Sequence, residues 1–319
     1  MATYNEIKGD IIEVRTTDPT NPQVGEIWYN NTIGVLKGYT FTIDAWASGG
    51  NLATGRRFLA GAGIQTSALV FGGIGGATNA TEEYDGTSWT GGGNLGTGRR
   101  ALAGCGTQTE AAAFGGFSTT VTNVTEEYNG SAWTGGGNMA TSRSYLAGCG
   151  TQTSALGFGG NTGTVNTNVT EEYDGTSWTG GGNMGTTRNS LAGAGTQTAG
   201  LAIGGNLPGV TAATEEYDGS AWTAGGSLNT GRSAPAGAGT QTAALGFGGY
   251  TTVKVANTEE YDGTSWTNKT NMAEAKSQLA GAGTQTSALG SGGFGSSTYS
   301  PSVEEYTGSF FTTATLTTS

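Results

Sequence analysis

The sequence predicts an all-β chain made of one small unit repeated many times, and three observations lead there. The triplet Glu-Glu-Tyr begins at Glu82, Glu126, Glu171, Glu215, Glu259 and Glu304, at intervals of 44, 45, 44, 44 and 45 residues. A period that constant means one supersecondary unit copied along the chain. Gly, at 61 of 319 residues, dominates with Thr and Asn, and no stretch repeats its apolar residues with the helical period. Side chains also grow along each unit, from Gly, Ala and Leu at its start to Tyr84 and Trp89 at its end. That taper suits a wedge whose thin edge crowds a central axis. Wedges of four strands arranged radially make a β-propeller. A sandwich or parallel β-helix fits less well, because the period is too long for a solenoid coil and too regular for a Greek key.

The chain opens differently. Residues 1–38 lack the repeat, and Glu26 to Tyr29 with Gly34 to Tyr39 read as a hairpin around Asn30-Asn31. We take this as an anchoring or docking segment, followed by a propeller over residues 39–319. Within each repeat the first strand is the Leu-Ala-Gly segment, as in Ala101 to Gly106, and the Thr-Gln dipeptide after it makes a tight reversal. The second strand runs over Glu110 to Gly116 in one copy and Ser67 to Gly73 in another. Leu69 and Phe71 point to one side and Ala68 and Val70 to the other, so this strand should be covered on both faces. A loop of variable sequence follows. The third strand carries Thr-Glu-Glu-Tyr, an Asp-Gly turn reverses it, and the fourth carries Ser-Trp-Thr.

Strands one to three occur six times between Arg56 and Glu304. The fourth has a seventh representative around Trp46, while the last copy ends in Phe310-Phe311. Six blades are expected, with Tyr39 to Trp46 meeting the C-terminal strands to close the ring. The alternative of seven blades would need another set of inner strands.

Residues found in every copy are expected to be scaffold, and function should lie where copies differ. Arg56, Arg99, Arg143, Arg188, Arg232 and Lys276 should each meet one Glu of a pair, leaving the other Glu facing water. Trp46, Trp89, Trp133, Trp178, Trp222 and Trp266 should pack at the broad edge. Cys105 and Cys149 stand where other copies carry Ala62, Ala194, Ala238 and Ala282, which marks a small buried residue.

Composition removes several functions. A formal charge of −11 argues against nucleic acid, although half of the 24 acidic residues are simply the six Glu pairs. No apolar run is long enough for membrane insertion, and Met1 to Asp10 lacks a signal-peptide pattern. The chain has no His, which removes Ser-His-Asp triads, imidazole acid–base work and the usual zinc and copper ligand sets. We expect no cofactor, no metal and no enzymatic activity, with calcium at the acidic turns left open. The repeated Glu pairs do not suit glycoside hydrolysis, which needs one special pair in one pocket. The Asp-Gly-Thr-Ser-Trp run is one residue short of a sialidase Asp-box, and Gly91 to Gly93 precede no helix that could hold phosphate.

Arg99, Leu102 to Cys105, Phe114 to Gly116, Tyr128 and Trp133 together resemble the Kelch repeat, and the resemblance holds in every copy over roughly residues 39–311. It implies a propeller and leaves function open, since such propellers host enzymes, adaptors and structural proteins. One enzyme on this scaffold uses a galactose-oxidase-like copper site, which the absence of His excludes. Asp18 to Tyr39, with Asp-Pro-Thr-Asn-Pro, Gly-Glu-Ile-Trp-Tyr-Asn and Leu-Lys-Gly-Tyr, resembles a leader on virion proteins of tailed bacteriophages, notably marine and cyanobacterial ones. That resemblance implies a structural virion protein, as tail fibre, appendage or capsid decoration. It would be made in the host cytoplasm and assembled in many copies with other virion proteins through the N-terminal segment. The loops between strands two and three would then face outward: Ile74 to Ala80, Phe117 to Val124, Asn161 to Val169, Asn206 to Ala213, Tyr250 to Asn257 and Phe294 to Ser302. Phe117, Tyr250, Lys254, Phe294 and Tyr299 are the candidate contacts for a host-surface glycan, a receptor or a neighbouring virion protein. The alternative is an intracellular Kelch-type adaptor that uses the same rim.

Overall fold

A computed structural model describes residues 12–75, 79–296 and 299–316. Met1 to Asp10, the middle of the Ile74 to Ala80 loop and two residues of the Phe294 to Ser302 loop lie outside the described residues. Among the described residues there is no helix, and the strands form seven four-stranded sheets and one short hairpin, Asn206–Leu207 with Gly209–Val210. The chain divides into two compact units, one reaching to Asp44 and resuming at Gly308, the other being Ala45–Thr307.

Six of the sheets make up the second unit. In the first of them Ala60–Ile64, Ser67–Phe71, Thr81–Tyr84 and Trp89–Gly91 run antiparallel in sequence order, with Tyr84 opposite Trp89. The next four repeat the pattern one period later each time. In the sixth, Ala280–Gly283, Ser287–Ser291 and Val303–Thr307 take their fourth strand from the start of the unit, Ala45–Ser48, which sets Trp46 opposite Tyr306. This repeated arrangement of four-stranded antiparallel sheets is consistent with a Kelch-like propeller.

Glycine in the inner strands has a steric cause. A Cβ on Gly281 would sit 2.5 Å from the carbonyl oxygen of Gly237, and one on Gly237 would sit 2.8 Å from that of Gly193. One on Gly61 would sit 2.9 Å from that of Gly281, so inner strands of the sixth and first sheets also touch backbone to backbone. The apolar core lies between sheets rather than within one. Leu69 and Phe71 of the first sheet pack with Leu102, Ala113, Tyr128 and Trp133 of the second. Burying both faces of the second strand explains its run of apolar residues.

In the first unit Ile27–Asn30 and Val35–Thr42 form the expected hairpin. Glu13–Arg15 adds in parallel to one side and Phe310–Leu316 antiparallel to the other. Two expectations are corrected here. The stretch Tyr39 to Trp46 is split, because Tyr39 to Thr42 pair with Phe310 to Thr313 while only Ala45–Ser48 joins the sixth sheet. Phe310 and Phe311 are therefore no part of a repeat; Phe311 lies 4.8 Å from Phe41 and 5.6 Å from Tyr39, ring centre to ring centre. The physical reason is that Ala45–Ser48 already fills the fourth-strand slot beside Val303–Thr307, so the chain after Gly308 pairs elsewhere. The unit boundary accordingly falls at residue 44 and again at 308 instead of at 38.

Candidate binding face

Nearly every repeated polar side chain is consumed in holding the second unit together. The first Glu of each pair accepts a buried ion pair: Arg56–Glu82 at 2.7 Å, Arg99–Glu126 at 2.5 Å, Arg143–Glu171 at 3.0 Å, Arg188–Glu215 at 2.6 Å, Arg232–Glu259 at 2.8 Å and Lys276–Glu304 at 3.3 Å. Burial pulls the Arg143 guanidinium down to about 10, against the opposing pull of Glu171.

The second Glu does not simply face water. It accepts the Tyr hydroxyl of the next sheet: Tyr173 to Glu127 at 2.6 Å, Tyr217 to Glu172 at 2.5 Å, Tyr261 to Glu216 at 2.5 Å and Tyr306 to Glu260 at 3.0 Å. Tyr128 donates likewise to Glu83, and Tyr84 to Glu305 at 2.5 Å returns from the first sheet to the sixth. Burial pushes the hydroxyls of Tyr84, Tyr128, Tyr173, Tyr217 and Tyr261 up to about 12, and the adjoining carboxylate adds to this.

The Trp indoles form another such set. Trp133 stands 4.8 Å from Phe71, Trp178 4.8 Å from Phe114, Trp222 4.8 Å from Phe158 and Trp46 5.0 Å from Phe247, each across a sheet boundary. Trp266 donates to Thr214 at 3.1 Å, and Trp89 donates to the Gly50 carbonyl at 2.9 Å. The Gln of each Thr-Gln turn, read from sequence as part of a reversal only, is a further bridge. Gln152 Nε2 donates to the carbonyls of Ala111 at 3.1 Å and Tyr128 at 2.6 Å, both in the preceding sheet. A polar side chain that recurs at a surface turn in every copy was the available signal. Cys105 and Cys149 are buried free thiols, and burial raises the Cys105 thiol to about 12.

What varies lies at one end of the sheets. Each variable loop starts with a residue bridged to the one just ahead of the hub: Arg57 with Ile74, Arg100 with Phe117, Ser144 with Asn161, Asn189 with Asn206, Ser233 with Tyr250 and Ser277 with Phe294. The next residue inward is the station that sequence reasoning missed. Phe58, Ala101, Tyr145, Ser190, Ala234 and Gln278 each precede an inner strand, and each holds a positive φ between 50° and 62°. Their backbones close a circle. Ala101 N donates to Phe58 O, Tyr145 to Ala101, Ser190 to Tyr145, Ala234 to Ser190, Gln278 to Ala234 and Phe58 to Gln278, all at 2.7–3.0 Å. The signal in the sequence was that this position, one residue before Leu-Ala-Gly (Pro-Ala-Gly after Ala234), carries a different side chain in nearly every copy.

Four of the five predicted contact residues converge on this face. The Arg57 guanidinium lies 4.7 Å from the Phe294 ring centre, 5.6 Å from that of Tyr299 and 5.3 Å from that of Phe58. Lys254 Nζ lies 4.0 Å from the Phe294 ring centre and donates to Gly295 O. Tyr250 is 43% exposed and, with Phe294, walls a cavity of about 370 Å³ beside the hub. Phe117 stands apart, under the Arg100 guanidinium at 4.5 Å.

Acidic turns mark one end of the sheets, and at the other Glu274 is the exception, accepting from Ser296 N at 3.0 Å and from the hydroxyls of Ser300 and Ser302 in the last variable loop. Asp85, Asp174, Asp218 and Asp262 occupy the turns after the third strands, where backbone N–H bonds from the following Ser, Thr or Ala residues lower their carboxyl pKa values. Among the described residues of this unit, the cations outside ion-pair reach of a carboxylate are Arg57, Arg100 and Lys254, all on the variable face. This end can therefore offer aromatic surface, hydroxyl and amide groups, and positive charge. No protein-family model matches the chain, and no curated protein matches it in sequence.

Proposed function

We propose that the six sheets of the second unit are the blades of a six-bladed, Kelch-like propeller, and that the protein is a non-enzymatic structural component of a tailed-phage virion. Its first unit docks onto other virion proteins in many copies, and the propeller presents its variable face to a host-surface glycan. The observation that carries this reading is the division of labour within the repeats. Repeated polar groups are engaged within and between the sheets, while sequence individuality, partly exposed aromatics and cations outside ion pairs gather at one end. Weak contacts by single copies would then gain strength from many displayed together.

The leader resemblance adds to it. Asp18, Trp28, Asn30 and Lys37, all within the resembling stretch, form one knot: Asp18 accepts from Lys37 at 2.5 Å, Asn30 at 2.9 Å and Trp28 at 3.2 Å. Lys37 and Asn30 hold the Asp18 carboxyl down at about 2. Among the described residues, nine of the fourteen exposed large apolar side chains belong to this unit, among them Val14, Ile33, Phe41 and Phe311, as suits a segment that docks on a partner.

Deleting residues 1–37 tests the proposal. The shortened protein should fold yet be lost from purified particles, as read by mass spectrometry. Absence of the intact protein from particles would overturn the virion reading in favour of an adaptor, and incorporation of the shortened protein at the full level would overturn docking through the first unit.

A further inference from the structure

We propose that the cavity beside the hub is a subsite for one uncharged pyranose ring, placed off-centre between the fourth, fifth and sixth sheets. The inference rests on the reading of this face as a glycan contact and names the sugar class and the residues that take it.

Asymmetry at the hub makes the site. Phe58 and Tyr145 meet edge to face, 5.3 Å apart with planes at 80°, and fill one side of the circle. Ser190 and Ala234 occupy equivalent stations on the other side and are too small to do so. The space left, about 370 Å³, is within the range of small-molecule sites, about 300–1,000 Å³. Tyr250 gives it an exposed aromatic wall onto which the C–H face of a sugar can stack, and Phe294 adds apolar surface beside it.

Its polar groups ask for a hydroxylated ligand. Ser277 is 1% exposed, and its Oγ has no hydrogen-bond partner among the described residues. Gln278 Oε1 is likewise buried without one, and both residues line the cavity. An unpaired amide oxygen needs a donor, and a buried hydroxyl can donate or accept. Leaving them unmet costs free energy that a ligand hydroxyl would recover once either side chain turns toward it. No charged side chain lines the cavity, since Arg57 and Lys254 are turned onto the Phe294 ring. A neutral sugar meets these demands, and a uronic or sialic acid finds no cation inside.

The test is saturation-transfer NMR on the full chain with neutral methyl hexopyranosides (glucose, galactose, mannose and their N-acetylated amines) and a methyl glucuronide. At least one neutral glycoside should receive saturation at its ring protons, and the glucuronide should not. Ala234→Tyr places at one station the side chain that Tyr145 carries at another, with nearly the same φ of 50° against 56°, and should abolish the signal without lowering the melting temperature. Gln278→Leu, which leaves the cavity open, should weaken binding about tenfold. Silence from every neutral glycoside, preference for the glucuronide, or undiminished binding by both variants would overturn the proposal. Particles that carry Ala234→Tyr and adsorb to host cells normally would sink the subsite and leave the virion reading standing. A protein that binds the sugar but is absent from particles would do the reverse.

Discussion

Replacing Arg143 with Ala isolates what one repeated ion pair contributes. Arg143 is fully buried, and its guanidinium donates to the carbonyls of Gly159 at 3.0 Å, Val169 at 2.5 Å and Gly157 at 3.3 Å as well as to Glu171. Ala removes the cation while Glu171 stays buried at 2% exposure, still held by the N–H groups of Ala140 at 2.6 Å and Thr141 at 3.3 Å. Stripping one partner from a buried pair costs about 3–5 kcal/mol, and unmet buried carbonyls add about 1–3 kcal/mol each when they find no water. Their sum is an upper limit, because the emptied volume admits solvent, so a loss of about 4 kcal/mol is expected. The double variant Arg143→Met with Glu171→Met should cost less than Arg143→Ala, since no lone charge remains. Urea denaturation of the three proteins measures this. Arg143 does not line the hub cavity, so sugar or cell binding should survive in the folded variant. A single variant as stable as the parent would refute the reasoning, as would lost binding with unchanged stability.

Gln152→Ala should lower stability by about 1–3 kcal/mol in the same assay through its two bonds to the preceding sheet, although Gln152 sits in a surface turn. Gly281→Ala should destabilise by about 1–3 kcal/mol, because the new Cβ would meet a backbone oxygen that cannot turn aside; thermal melting reads it. Alkali should unfold the protein cooperatively. Five tyrosines titrate near 12 when folded against 10.0 unfolded, so above pH 10 the unfolded chain has lost protons that the folded one keeps. Stability is then complete below pH 10 and falls as pH climbs toward 12, with phenolate absorbance rising together with loss of structure; phenolate formation in the still-folded protein near pH 10 would count against the Tyr–Glu bonds.

The repeat carried most of the architecture because a fixed period forces each copy into the same local structure. The Glu-Glu-Tyr and Trp strands, the Arg partners and the covered second strand could all be read from residue type and spacing. Contacts across sheet boundaries could not. Gln152 looks like any turn residue until the preceding sheet supplies its two carbonyls, and the second Glu looks solvated until a Tyr one period later reaches it. The split at Asp44 was hidden for a similar reason: which of two neighbouring β segments enters the sixth sheet depends on pairing with residues some 260 positions later, such as Trp46 with Tyr306. Of the candidate site, the aromatic loops were legible from composition at variable positions. The hub station was not, because its defining feature is a backbone conformation.

That conformation bears on why the station carries side chains at all. The circle of hydrogen bonds through Phe58, Ala101, Tyr145, Ser190, Ala234 and Gln278 uses only backbone atoms, so the fold places no demand on what these residues carry. It does demand a left-handed φ, which costs a residue with a Cβ about 1 kcal/mol or more and costs Gly nothing. This chain uses glycine freely at positive φ elsewhere, as at Gly72 and Gly73 beside the same hub. Stability alone would therefore favour glycine at all six stations. None has it, and the side chains present range from a methyl group to a phenol. Strain retained around a full circle, with a different group at nearly every step, is what a contact surface requires and a purely structural ring does not.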